Sequence, residues 1–594
     1  MKTKFSCVLF LLLFVILPSL FAQQKFYLNL NDRSSDVFKV TLVPEKLSDE
    51  NRIYQFAATA PGTYERIDLG RFVTSFKAYD KDNNEIATKH ESLNQWSISD
   101  PGKVAKIVYD IKDTWHTPQD SDHIFLMGGS SIEKDNVLIN GQCVFGYFHG
   151  MQSEPVYVKI DYPKDWLLGT ALKLDDNGYY ETESYDQIVD SPILLGKLTK
   201  DSVTVSNTKV NIYTYSKTGL IKSSNILGAI KNILEAEDAF TNGLPVNHYT
   251  FLFHFENVSA GAWEHNYSSE YVYKEEPISE GLIHNIRETV AHEFFHVVLP
   301  LNIHSELIEK FNFEKPVMSQ HLWLYEGVTE WAAHILELRG KLITLEHYLY
   351  VLHQKLSYSD KFNDTVSLTY LGVHSIDLQN LYPDIYEKGA IVAGLLDIRL
   401  LELSKGKLGL REVINELSHK YGPHKPFSEK NFFNDFTAMT YPEIGDFFDK
   451  YIKGTEPLPI KEYYAKIGIN YEEEGSVDSS RLSLGIQVGF NGQNFIIAGV
   501  EKDTPSSDKL KIGDAIDKID SSKLTVMNFR KLFSQINSSH KAGDTITMTV
   551  IRNDKPVDLE LQLFYHKNKN VFSINENANK QEVELRNAWE KNLQ

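Results

Sequence analysis

The sequence predicts a multidomain α+β protein with an all-β N-terminal domain, a mainly helical central domain and a small β-rich C-terminal module. Three observations carry this. Up to about residue 219, apolar residues alternate in short runs such as 105–111 and 203–205, with turn signals such as 80–84 between them, which is the period of half-buried strands. From about residue 220 to 454 the period becomes helical, over stretches such as 322–339 and 386–403. Beyond the proline-containing segment 456–459, short strands return between 482 and about 564, broken by one helical pattern near 526–536. Of the 594 residues, 42% are hydrophobic and 12% aromatic, enough for several independent cores and too much for extended disorder.

At the N-terminus, Lys2 and Lys4 precede an apolar run from residue 5 to 16, and Ser19 to Ala22 close it with a small residue. This is the layout of a signal peptide over residues 1–22, so the chain is expected to be exported, to a periplasm or outside the cell. The run is short for a membrane span, with an uncleaved anchor as the alternative. No later segment resembles a transmembrane helix, so no integral membrane segment is expected after cleavage. Losing residues 1–22 removes two lysines and no acid, taking the formal charge from −19 to −21. Such an acidic surface disfavours nucleic acid as a partner. Cys7 leaves with the signal, and Cys143 alone can form no intrachain disulfide; it reads as a small buried hydrophobe rather than a catalytic thiol. The expected organisation is a β-rich domain over 23–219, a helical domain over 220–456, a linker over 457–475, a third domain over 476–568 and a tail over 569–594. In that tail Val583, Leu585 and Trp589 could dock; fraying is the alternative.

The chemistry sits in the helical region. Ile283, Ile286, Val290, Phe294 and Val297 recur at spacings of three and four, giving one apolar helix face, with His292 and His296 roughly opposite. An i,i+4 pair stacks two imidazoles on one side of a helix, where both can reach one tetrahedral cation, and Glu293 falls beside the cation's open position. Pro300 is expected to end the helix. The five-residue pattern alone is modest evidence in a chain with twenty histidines, and a histidine pair without metal is the competing reading. A third ligand strengthens the case: Glu326 lies in the otherwise apolar stretch 322–331, where a carboxylate needs a cation or a hydrogen-bonded histidine as partner. Glu330, one turn on, is set to accept the second ring N–H of a ligand histidine, or is a solvated helix carboxylate.

With these residues in view, the sequence resembles the glycyl aminopeptidase family of gluzincins, zinc metallopeptidases with a β-rich N-terminal domain, a thermolysin-like catalytic domain and a C-terminal PDZ domain. The likeness rests on separated segments in the family's order: Ala60-Pro-Gly-Thr-Tyr64 and Phe76-Lys-Ala-Tyr-Asp80, then Gly261-Ala-Trp-Glu-His265 with Ser268 and Ser269, then the two metal motifs with the family's spacing, then Tyr386-Glu-Lys-Gly389. Leu484-Gly-Ile486, the strand 495–500 and Lys511-Ile-Gly-Asp-Ala-Ile516 are similar to a PDZ domain. Two segments depart from the pattern. The stretch from Val297 to His304 lacks the family's Trp-Asn pair and basic residues, and Trp263 stands where the family has a smaller residue.

The resemblance implies one zinc ion per chain on His292, His296 and Glu326, with Glu293 as general base and Tyr386 as transition-state donor, the alternative for Tyr386 being core packing. It also implies that Glu264 binds the substrate's α-amino group while Gly261 and Ala262 line the bound peptide like an edge strand. His265 reads as a substrate-side group or as a hydrogen-bonded structural histidine. The expected activity is an aminopeptidase acting on small, Gly- or Ala-type N-terminal residues of peptide or protein substrates, with a peptide ligand for the PDZ-like module. A zinc endopeptidase with the same metal site, and a non-catalytic peptide-binding protein, are the alternatives.

Overall fold

The computed structural model describes residues 24–118, 124–309, 311–362, 365–491, 493–501 and 504–593. The expected signal peptide lies outside them. Contacts divide the chain into two compact units, one formed by residues 24–348, 358–458 and 583–593 and the other by residues 349–357 and 459–582.

In the first unit the N-terminal region is all-β in its sheets, as the alternating pattern predicts. Gln24–Asn29 lies inside an eight-stranded sheet, parallel to Val156–Asp161 and antiparallel to Val37–Pro44. Val37–Pro44 turns Phe38, Val40, Leu42 and Pro44 inward and leaves Lys39 and Val43 exposed. Two four-stranded sheets complete the layer. Tyr54, on one of these, packs on Phe56, Phe148 and, from the eight-stranded sheet, Tyr109 at ring separations of 5.3, 5.0 and 6.1 Å, an aromatic core.

The strands Thr199–Val205 and Thr208–Ser216 depart from the expected boundary at 219. They hydrogen-bond into a five-stranded sheet with His248–Glu256, Ser268–Lys274 and Gly261–Glu264, which belongs to the helical region. Alternation marks a strand but not its partner, so the boundary was invisible in sequence. Helix Ser223–Thr241 packs against this sheet and against helix Glu280–Phe295, with Phe240 on Phe295 at 5.4 Å.

The second unit has its own core of Leu484, Ile497, Ile516, Ile546, Met548, Val550 and Leu561. Its antiparallel sheet starts with the edge strand Ile486–Phe490, and helix Phe529–Ser539 lies in the stretch where the helical period was read. The expected linker is ordered structure: it holds helix Ile460–Lys466 and the start of strand Ile469–Ser483, which pairs with Phe564–Ile574. Tyr464 stacks edge-on against Phe572 at 5.1 Å, so the apolar residues of this stretch serve packing. The expected tail ends as helix Lys580–Glu590, whose Trp589 is 1% exposed in the first unit.

Candidate metal centre and peptide cleft

Helix Glu280–Phe295 starts where the Ser279 hydroxyl accepts the Leu282 N–H at 3.1 Å, satisfying a donor the helix leaves free. It stops before Pro300. Beyond Phe295 the bonds shorten to Val297 N–H on Phe294 and Val298 N–H on Phe295, so His296 is the helix cap and the tight turn, not the proline, ends the element. The face opposite the apolar stripe is itself buried: His292, Glu293 and His296 are covered by neighbouring elements.

Glu326 lies in a π-helical turn, Trp323–Val328, that runs into helix Thr329–Arg339. Its Oε2 is 3.5 Å from Nε2 of His292 and 3.7 Å from Nε2 of His296. Both Nδ1 atoms are engaged elsewhere. His292 Nδ1 lies 2.6 Å from Glu330 Oε2, and His296 Nδ1 donates to the Leu299 carbonyl at 2.7 Å. With Nδ1 so engaged, the Nε2 atom of each ring is the one that faces Glu326. The donor set of two imidazoles and one carboxylate, with ligand atoms within 4.8 Å of one another, fits a zinc ion with an open position. Electrostatics agree with the fit. Burial, then the Glu326 and Glu293 charges, push Glu264 well above the carboxylate range, and burial raises Glu293 to about 7. Burial lowers His296 to about 4. A divalent cation among these groups would offset both the repulsion and the desolvation.

Tyr386 enters from the start of helix Asp384–Ser404, its ring 5.8 Å from that of His292 and its hydroxyl 2.9 Å from the Tyr382 hydroxyl. Its helix reaches this spot because Gly327 and Gly389 meet backbone to backbone; a Cβ on Gly327 would lie 2.6 Å from the Gly389 Cα. Among the described residues, Gly261–Glu264 is the last strand of its sheet and pairs only with Ser268–Lys274. Ala262, Trp263 and Glu264 line a cleft of about 270 Å³ together with His292, Glu293, His296, Glu326, Tyr382 and Tyr386. Gly62, at φ +78°, lies against Trp263 and Glu264, where a Cβ would come within 2.3 Å of the indole nitrogen. Gly261 adopts φ +131°, a conformation that suits glycine. His265 is 3% exposed and lines a neighbouring cavity of about 50 Å³, with Nδ1 3.4 Å from Asp190.

Two tyrosines near the metal centre had no assigned part in the sequence reading: Tyr382 lines the cleft, and Tyr64 lines the neighbouring cavity. Tyr64, from the N-terminal β-domain, donates to Glu326 Oε1 at 2.7 Å, and Tyr382 joins Tyr386. Tyr64 sits in one of the segments that carried the family likeness, which was the available signal. Glu330 also faces His334, Oε1 to Nε2 at 3.2 Å, so it is bonded on both oxygens.

A buried His-His-Glu cluster beside the last strand of a sheet is the arrangement of a zinc metallopeptidase, and the sequence comparisons agree. Residues 25–197 match the Peptidase M61 N-terminal domain, residues 285–392 match M61 glycyl aminopeptidase, and residues 482–563 match the PDZ domain. The chain belongs to the M61 glycyl aminopeptidase family and is a zinc metallopeptidase of aminopeptidase type. No curated protein sequence matches it. Among solved structures, an aminopeptidase N family protein from Idiomarina loihiensis superposes with a TM-score of 0.80 at 20% identity, over 95% of this chain and 99% of that one, a likeness of fold. An M1 zinc metallopeptidase from Deinococcus radiodurans is more distant, with a TM-score of 0.48 and 10% identity over 74% of this chain and 95% of that one.

Proposed function

We propose that the chain is an exported aminopeptidase that removes small, Gly- or Ala-type residues from peptide N-termini, with one zinc ion per chain held by His292, His296 and Glu326. One observation carries the aminopeptidase reading. Glu264 is a half-buried carboxylate on the last strand of its sheet, in the same cleft as the metal-centre residues. A free α-ammonium is the cation every such substrate brings, and it would return Glu264 to its charged form.

Zinc, when bound there, supplies Lewis acidity and makes water a nucleophile near neutral pH. The chain's own groups do the rest. Gly261 and Ala262 hold the peptide backbone as an added strand while Glu264 fixes its amino end, so the first peptide bond faces Glu293. Glu293 takes the proton of the attacking water and passes it to the leaving amine. The Tyr386 hydroxyl, oriented by Tyr382, donates to the carbonyl oxygen as it gains charge. Glu330 holds His292 in its ligand tautomer.

The test is hydrolysis of alanyl and glycyl chromogenic amides, free and N-acetylated, by the wild-type chain and Glu293→Gln, with bound zinc assayed in both. Cleavage of the free amine alone, with zinc kept and activity lost about 10²–10⁴-fold in the variant, is expected. Equal cleavage of the acetylated amide would make the enzyme an endopeptidase, and absence of both zinc and cleavage would leave a peptide-binding protein.

A further inference from the structure

Each of the three candidate metal ligands is gripped by a second group. Glu330 takes Nδ1 of His292, the Leu299 carbonyl takes Nδ1 of His296, and the Tyr64 hydroxyl takes Oε1 of Glu326. Glu330 and Leu299 flank the helical motifs. Tyr64 comes from the β-domain, 262 residues away in sequence.

We propose that Tyr64 is a positioning residue for the metal centre, which makes Glu326 a one-oxygen ligand by occupying Oε1 and aiming Oε2 at the two imidazoles. The proposal rests on the metal assignment above. The division of labour between the two oxygens is visible in the distances: Oε1 is 2.7 Å from the tyrosine hydroxyl, whereas Oε2 is the atom at 3.5 and 3.7 Å from the histidine nitrogens. A carboxylate free to rotate could offer either oxygen or both. One whose Oε1 is held by a hydrogen bond presents a single donor, and the remaining coordination position stays open for water and substrate.

The chain is shaped for this contact. Tyr64 adopts φ +47°, which bulky residues rarely do. The bend is fastened on both sides, by the Thr63 hydroxyl on the Ala60 carbonyl at 2.7 Å and the Thr59 hydroxyl on the Glu65 carbonyl at 2.8 Å. The Tyr64 ring then lies against Tyr382 at 5.9 Å, leaving its hydroxyl directed at Glu326. The β-domain therefore contributes to the metal site itself.

The experiment uses the full chain, stripped with a chelator and titrated with zinc against a chromogenic competitor. Tyr64→Phe deletes the hydroxyl and keeps the ring. It is expected to weaken zinc binding about 10–100-fold, with the circular dichroism and melting of the metal-free protein unchanged. Tyr382→Phe, whose hydroxyl serves Tyr386, should bind zinc as the wild type does. Wild-type zinc affinity in Tyr64→Phe overturns the positioning role; if kcat falls in that variant all the same, Tyr64 acts on substrate instead. A wild-type chain that binds no zinc would fail the metal assignment itself and take this role with it. If the phenylalanine variant folds poorly, Tyr64→Gln and Tyr64→Leu ask the same question, since both lose the ring and only glutamine keeps a donor. Glutamine should bind zinc the more tightly of the two, and equal affinities would overturn the proposal.

Discussion

Cys143 is the single free cysteine of the described residues, and its surroundings decide what a thiol there can do. It is 1% exposed, its Sγ faces the Gly128 carbonyl at 3.3 Å, and burial lifts its pKa far above the ordinary thiol value. A thiol that stays protonated and covered is neither nucleophile nor metal ligand. Native protein should therefore resist a maleimide reagent until it is unfolded, and Cys143→Ala should keep its kcat; rapid labelling with loss of activity would reverse this reading. Glu330 is the opposite case. With one oxygen on His292 and the other facing His334, it couples a candidate ligand to a second buried histidine. Removing it in Glu330→Ala should cost about 10–100-fold in zinc affinity, measured by competition titration. Affinity equal to wild type would return Glu330 to the solvated-carboxylate reading.

Between elements, the decisive contact is the crossing of the Glu326 segment and the Tyr386 helix at Gly327 and Gly389. A Cβ on Gly389 would lie 2.8 Å from the Gly327 Cα, and the listener on the other side is backbone, which cannot step aside as a side-chain tip can. Gly389→Ala should destabilise the first unit by about 1–3 kcal/mol in urea unfolding. It should also lower kcat, because the helix that carries Tyr386 is pushed away from Glu326. Unchanged stability and kcat would mean that the two helices can separate without consequence. Both glycines were legible in sequence as parts of motifs, yet their reason was not, since closeness between helices leaves no local pattern. The same limit explains the other gaps. The histidine pair was readable because i,i+4 geometry is local to one helix, and Glu326 because a carboxylate in an apolar stretch needs a partner. Tyr64 was hidden because its acceptor lies on another domain. The strands in 199–216 fall inside the expected 23–219 domain yet pair with the sheet of the helical region, because pairing is non-local.

At the scale of the molecule, the chain closes its first unit with its own last helix. Trp589 is 1% exposed, with its ring 5.5 Å from that of Tyr348. Its carbonyl accepts from Arg339 Nε at 2.8 Å, while the same guanidinium holds Asp397 at 2.7 Å, in a pair with no exposed side-chain surface. Asp397 in turn accepts the Leu410 N–H at 2.7 Å. Arg339 ends the helix that follows Glu326, and Asp397 lies on the helix of Tyr386. A segment that composition alone would leave as a polar tail thus completes a buried ionic cluster that ties the helix after Glu326 to the helix of Tyr386. Trp589→Ala should cost about 3–5 kcal/mol, the range for deleting a buried tryptophan side chain. Truncation after Glu582 should cost more, because it also strips a partner from a buried arginine. The loss should register as a lower melting temperature of the first unit, while kcat of the folded fraction at low temperature and its zinc affinity stay near wild type, since no cleft residue is touched. A truncated chain that melts like the full one would mean that this helix is only laid against the surface; one that folds normally but cannot bind zinc would tie the end of the chain to the metal centre directly.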